Sequence, residues 1–342
     1  MKEIFQQRLL TWFEKHKRDL PWRKTQDPYL IWLSEIILQQ TRVVQGLPYY
    51  LKFIEKYPTI HDLANAPEDE IMKLWQGLGY YSRAKNMHYT AKWIVEHYQG
   101  QFPTTFKEIR QLKGIGDYTA AAIASFAYNQ PVAVVDGNVQ RVLARCLGIQ
   151  ADIKQKKVFQ NYADSLLNFD SPAAHNQAMM EFGAIQCVPK NPDCHRCIMK
   201  DICYAYTHQA VMKLPVKTQK EAKPHKTAHF YYIENEHGQI LIRKRAEKGI
   251  WANLYEIPNT LEQSLNFNFS DKYLRKGYLK HVFTHFVLHI TWFHYRVKSE
   301  DILLCEKCHW IDAHQIEAFA YPVPVQKIIH AVKQRDAELL FF

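Results

Sequence analysis

Four cysteines, Cys187, Cys194, Cys197 and Cys203, fall within seventeen residues at gaps of six, two and five. Thiolates spaced like this converge on one metal ion or one inorganic cluster from a short irregular segment, whereas a disulfide needs only two of them. The spacing alone leaves zinc and iron–sulfur both open. Pro189, Pro192 and Asp193 place the group on a loop. Four protein thiolates leave no open coordination position, so such a site holds a loop in shape rather than meeting a substrate. Two carboxylates, Glu35 and Asp136, offer a different chemistry, and it depends on the elements that carry them.

Glu35 sits in the middle of YLIWLSEIILQQT (29–41), which is apolar on nearly every side and therefore reads as a buried helix. A carboxylate there loses hydration, so its pKa rises and it stays protonated near neutral pH, as a general acid must. Asp136 ends a short apolar approach in PVAVVDGNVQRVLARC and precedes a helical pattern, the position of an N-cap. Backbone donors and the helix dipole favour its ionised form, so its pKa is expected to fall while that of Glu35 rises. Two carboxyls pushed apart in this way suit glycoside chemistry, one donating a proton while the other stabilises positive charge at a sugar carbon. A third element, LKGIGDYTAAAIASF (112–126), sets Gly114 and Gly116 in a tight turn before a small-residue helix. Glycines there allow backbone amides to approach a phosphate, and Ala120, Ala121, Ala122 and Ala124 allow two helices to pack closely.

The chain has 342 residues, 47% of them apolar, enough for two domains each with its own core. No run of eighteen apolar residues and no leader pattern at residues 1–10 is present, so a soluble, cytoplasmic protein without membrane association is expected, nucleoid-associated if bacterial. The remaining cysteines, Cys146, Cys305 and Cys308, form an odd set that fits a reducing compartment better than a disulfide framework. Cys305 to His309 matches the haem-attachment pattern, which has no route to modification in an intracellular chain. A formal charge of +10, from 44 Lys plus Arg against 34 Asp plus Glu, favours a polyanionic partner, and 8 Trp, 20 Tyr and 18 Phe add stacking surfaces to the core.

Helical segments punctuated by Pro or Gly run to about residue 210, giving a helical domain over 1–212. Residues 213–228 turn basic and proline-containing and read as a linker. Beyond it, 229–234 and 239–243 read as a hairpin around Glu236-His237-Gly238, 281–297 as strand, and the chain from Pro324 as helix. The second domain, 229–342, is therefore α+β. His281, His285, His289 and His294 reflect strand alternation rather than a second metal site.

Taken together, LKGIGDYTAAAIASF, VDGNVQRVLAR and the cysteine spacing resemble the helix-hairpin-helix DNA glycosylase superfamily that includes endonuclease III. WLSEIILQQTRV and QGLGYYSRAKN narrow the resemblance to the MutY adenine DNA glycosylases. The resemblance implies an all-α glycosylase domain with an iron–sulfur loop and an α+β Nudix-like C-terminal domain. It implies a [4Fe-4S] cluster on the four cysteines of 187–203, a monomer acting on duplex DNA with A:8-oxoguanine or A:G mispairs, and adenine flipped out of the stack before cleavage. Carried over residue by residue, Glu35 protonates adenine N7 and later helps to activate water. Asp136, beside Asn138, stabilises the oxocarbenium-like sugar, with a transient covalent bond as one route. Trp22, Arg23 and Glu181 resemble parts of the adenine pocket; Gln40, Leu78 and Tyr80 resemble residues that wedge into the stack or contact 8-oxoguanine. Superfamily members that cut the strand carry a nucleophilic Lys where this chain has Tyr118, and a phenol cannot form a Schiff base.

The C-terminal half resembles the MutT-like recognition domain of MutY, with GIWANLYEIP and HVFTHF as its matching segments, so Phe283, Thr284 and His285 are expected to face 8-oxoguanine. Thr284 replaces the Ser common in that family. No Arg-Glu-x-x-Glu-Glu run follows Trp251, so Mg²⁺-dependent pyrophosphatase activity is not expected. The competing readings are a bifunctional endonuclease III-like glycosylase and AP lyase for oxidised pyrimidines, a lesion-binding protein without catalysis, and a nucleotide pyrophosphatase.

Overall fold

The computed structural model describes residues 2–218, 221–261, 272–302 and 307–339. Cys305 lies outside them. The chain forms two compact units, one of Met1–Ala64 with Tyr89–Lys220, the other of Asn65–His88 with Glu221–Phe342.

The first unit is helical. Its elements are α1 (Lys2–His16), α2 (Pro28–Leu38), α3 (Val43–Lys56) and α4 (Ile60–Asn65), which precede α5 (Glu68–Leu74) and α6 (Ser82–Tyr98); then come α7 (Phe106–Gln111), α8 (Asp117–Tyr128), α9 (Gly137–Leu147), α10 (Lys156–Leu166), α11 (Pro172–Glu181) and α12 (Tyr204–Thr207). α2 starts where Asp27 accepts from the Tyr29 amide at 2.8 Å and Pro28 occupies the first turn, where its missing N–H costs nothing. A Thr105/Glu108 capping box starts α7. Gly114, at φ +79°, makes the turn into α8, whose Ala120, Ala121, Ala122 and Ala124 are buried. Asn176 of α11, itself buried, donates to Ser125 Oγ of α8 and to Val132 O and accepts from Val134 N at 3.0 Å, which fixes the segment leading to Asp136.

The second unit is a sheet with helices. Its strands are β1 (His225–Glu234), β2 (Gln239–Lys244), β3 (Tyr255–Glu256), β4 (Arg275–Val282), β5 (Val287–Arg296) and β6 (Cys308–Asp312), ordered β3-β2-β1-β5-β4 with β6 also on β2; α13 (Val323–Leu339) follows. β1 and β5 run parallel, and the β1/β2 and β4/β5 pairs are antiparallel. Phe230, Ile240, Ile242, Leu288 and Ile290 pack with Val325, Ile328 and Val332 of α13 in one core. His281, His289 and His294 lie on strands, whereas His285, also read as part of a strand, sits in the loop between β4 and β5.

Three departures from the sequence reading have physical causes. Residues 65–88, assigned by sequence to the helical domain, cluster with the C-terminal unit because Asp69 pairs with Lys244 at 2.7 Å, Glu68 accepts from Asn253 at 3.0 Å, and Lys73 and Tyr81 donate to the carbonyls of Phe319 and Tyr321. Much of the 213–228 linker is tied down: Arg145 donates to Leu214 O, Ile153 N to Val216 O, and Thr218 N and Oγ1 to Asp152, while β1 already begins at His225. Cys308 is disulfide-bonded, so it is not the free thiol that a reducing compartment implies. No helix among the described residues is long and apolar enough to cross a membrane.

Candidate active site

Every residue of α2 from Ile31 to Ile37 is buried, Glu35 with 6% of its surface exposed. Burial raises the Glu35 pKa to about 7; a hydrogen bond from Tyr118 opposes the rise, the negative charge of Asp136 adds to it and Arg23 opposes it. The acid expected from sequence is thus poised to carry its proton at neutral pH. Tyr118, at the start of α8, has its own pKa raised well above the phenol range by burial and then by the two carboxylates.

Glu35 opens into a pocket with about 340 Å³ of empty space, lined by Trp22, Arg23, Ile31, Ser34, Phe126, Gln177 and Met180 as well. Trp22 and Arg23 come from a short 3₁₀ turn and Ile31 and Ser34 from α2. Phe126 comes from α8, and Gln177 and Met180 from α11. Trp22 is braced edge-on by Tyr50, ring centroids 5.1 Å apart. An aromatic wall, an apolar floor and a few polar groups around one protonated carboxyl are what an extruded heterocyclic base requires. The sequence reading found Trp22, Arg23 and Glu35; it did not single out Ser34, Phe126, Gln177 or Met180, the last two of which lie three positions apart on one face of α11.

Glu181 is fully buried and does not line the pocket. Its carboxylate accepts from the Arg18 backbone N–H at 2.8 Å, from Arg18 Nη2 at 2.6 Å and from Arg23 Nη2 at 2.8 Å. Burial pushes its pKa up, but these bonds and the Arg23 charge outweigh that and hold it at about 2. Glu181 therefore fixes the guanidinium of Arg23 at the pocket wall.

Asp136 caps α9: Oδ1 accepts from the Val139 amide at 2.7 Å and Oδ2 from Asn138 Nδ2 at 2.7 Å. The expected fall in its pKa is overturned. Loss of hydration dominates and raises it, against the Val139 and Asn138 hydrogen bonds and the charge of Arg141, which limit the rise. Local capping was legible in sequence; enclosure by neighbouring elements was not. Asn138 Oδ1 in turn accepts from Arg141 Nη2 at 2.9 Å, and Arg141 also donates to Gly183 O at 2.6 Å and Cys187 O at 2.7 Å. The carboxylate is thereby chained to the start of the cysteine loop.

Gly114 and Gly116 are both exposed on the hairpin between α7 and α8. Gln40 is exposed in a left-handed conformation at φ 57° just beyond α2, and Tyr80 is exposed at φ 46°. Leu78 is instead buried, 7% exposed, so it packs within its turn rather than projecting. In the second unit, Phe283 N donates to Phe286 O at 2.9 Å, closing a two-residue loop with Thr284 and His285 exposed at its tip. Phe283 is half-buried, stacked on Phe286 with centroids 4.3 Å apart and 5.2 Å from Trp251. The tip therefore presents Thr284 and His285, with Phe283 as their support.

Cys187, Cys194, Cys197 and Cys203 are free thiols lining one pocket with about 360 Å³ of empty space. Arg145 Nη1 donates to Cys187 Sγ at 3.4 Å and the Met199 amide to Cys197 Sγ at 3.4 Å. These donors face sulfur atoms that would carry negative charge as ligands.

Residues 33–167 match the model of the HhH-GPD superfamily base excision DNA repair proteins, and residues 229–331 match a NUDIX domain. The adenine DNA glycosylase of Buchnera aphidicola subsp. Acyrthosiphon pisum is 36% identical over 349 residues, covering 97% of this chain and 99% of that protein. The adenine DNA glycosylase of Homo sapiens is 42% identical over 213 residues, which cover 59% of this chain and 39% of that protein. Among solved structures, a thermostable thymine-DNA glycosylase superposes with a TM-score of 0.57 at 32% identity, covering 60% of this chain and 97% of that one.

Proposed function

The chain belongs to the adenine DNA glycosylase family, and from that premise we propose that it excises adenine paired with 8-oxoguanine, or with guanine, in duplex DNA. The observation that carries the chemistry is a pocket lined by Glu35 together with Trp22 and Arg23, where a pKa of about 7 leaves about half of the Glu35 carboxyl protonated at neutral pH. In this reading, adenine enters between Trp22 and the α11 residues Gln177 and Met180. Glu35 gives its proton to N7, which turns the base into a neutral leaving group. The C1′–N9 bond then breaks with its electron pair going to the base, and the anionic Asp136 faces the cationic sugar. Water, deprotonated by Glu35, adds to C1′ and leaves an abasic site. Tyr118 holds Glu35 through a hydrogen bond and offers no amine for a Schiff base, so strand cleavage does not follow.

The hairpin glycines Gly114 and Gly116 would present backbone amides to a phosphate, with Gln40 and Tyr80 toward the stack and Thr284 and His285 reading the opposite base. The four cysteines would hold the [4Fe-4S] cluster that the family likeness implies: they line one cavity, and Arg145 Nη1 and the Met199 amide donate to two of their sulfurs. Such a cluster would fix the loop that Arg141 ties to Asn138 and Asp136.

The test is single-turnover release of adenine from A:8-oxoguanine, A:G and A:C duplexes. Release should be fastest opposite 8-oxoguanine, with strand breaks appearing only after alkali. Equal rates on all three duplexes, or a covalent adduct trapped by borohydride, would reject the assignment.

A further inference from the structure

A fifth sulfur borders the cysteine cavity. Cys146, near the end of α9, is buried with 6% of its surface exposed, is a free thiol, and lines the same pocket as Cys187, Cys194, Cys197 and Cys203. Cys203 Sγ lies 3.5 Å from the carbonyl of Arg145, so it is seated against the very turn of α9 that carries Cys146. That turn is fixed, because Arg145 reaches across the loop to the carbonyls of Val188 at 2.8 Å, Pro189 at 3.1 Å and Val211 at 3.0 Å.

We propose that Cys146 is a reserve ligand, able to bind the cluster iron in place of Cys203. The proposal rests on the reading of the four cysteines as cluster ligands. The exchange is balanced without an external reagent. In the exchange an iron–Cys203 bond would break and an iron–Cys146 bond would form, with one proton leaving the Cys146 thiol and one binding the Cys203 sulfur, so charge and oxidation state would be unchanged. Both sulfurs border the one cavity, and Cys203 is seated on the residue next to Cys146. Cys194 is the control, for it is Cys203 whose sulfur is seated on the α9 residue next to Cys146.

The experiment measures iron and acid-labile sulfide per chain, with the visible charge-transfer absorption, for the full chain as wild type, Cys203→Ala, Cys194→Ala and the double variant Cys146→Ala/Cys203→Ala. Wild type should carry a full cluster, Cys203→Ala should keep most of it, and Cys194→Ala and the double variant should keep only a trace. Iron-free wild type would remove the cluster reading itself. With wild type loaded, a Cys203→Ala chain as depleted or as insoluble as Cys194→Ala would overturn the reserve role, and so would a double variant that retains its iron. As a second measure that requires no ligand removal, Cys146→Ala should lose its cluster several-fold faster than wild type in air-saturated buffer, and an equal rate would count against the proposal.

Discussion

At the scale of single residues, Glu35 carries opposite consequences for activity and stability. Adenine release by a protonated Glu35 should decline as pH rises through about 7, and a pH–rate profile for single-turnover cleavage measures this. Glu35→Gln should lower the rate by at least about a hundredfold, in line with the usual contribution of general acid catalysis. Stability runs the other way. A carboxyl whose folded pKa lies above its ordinary 4.5 binds more protons when native, so stability falls with pH between about 4.5 and 7. Glu35→Gln should therefore match or exceed wild type in chemical denaturation at pH 8, by roughly 1–3 kcal/mol. Glu181 has the reverse sign: held at about 2, it contributes stability above pH 4.5 that disappears as pH falls toward 2. Glu181→Ala strands Arg18 and Arg23 and should cost roughly 3 kcal/mol in urea denaturation. The environment of Glu35 was legible because α2 is apolar all round. That of Asp136 was misjudged because its cap is local while its enclosure comes from elements distant in sequence.

At the scale of elements, short-range signals travelled well into structure. The glycine turn before α8 and the Asp136 cap of α9 are local chemistry, and each produced the element it foretold. Contacts made across long sequence distances had no such signature. Arg141 shows this: nothing in VDGNVQRVLAR says that its guanidinium reaches Gly183 and Cys187, forty-odd residues away. Arg141→Leu should remove three acceptors' partners at once, those of Asn138, Gly183 and Cys187, and lower the thermal midpoint by an amount equivalent to roughly 3 kcal/mol. Gly114→Ala places a Cβ at φ +79° and should cost about 1 kcal/mol, measured by denaturation, while weakening duplex binding. The tip of the β4/β5 loop was found by resemblance, yet the packing of Phe283 under it was not, because that depends on Trp251 and Phe286 arriving beside it.

At the scale of the whole molecule, the +10 charge predicts duplex affinity that falls steeply with salt, seen as a linear decline of log affinity against log salt concentration. The organisation of the chain leads to another expectation. In a chain shortened to residues 1–220, α5 and the start of α6 lose Lys244, Asn253 and the carbonyls of Phe319 and Tyr321. Backbone amides of residues 65–88 should then exchange hydrogen much faster than in the intact protein, while α8 and α9 keep their protection.

The excursion of residues 65–88 also bears on biosynthesis. A ribosome emits this segment early, but its sheet-borne partners begin only at residue 221, more than a hundred codons downstream. At ordinary elongation speeds the delay is on the order of ten seconds, during which Asp69 lacks Lys244 and Lys73 lacks the Phe319 carbonyl. A nascent polypeptide of this kind cannot mature strictly from front to back: residues 65–88 are finished last, once the terminal sheet has left the exit tunnel and collected them.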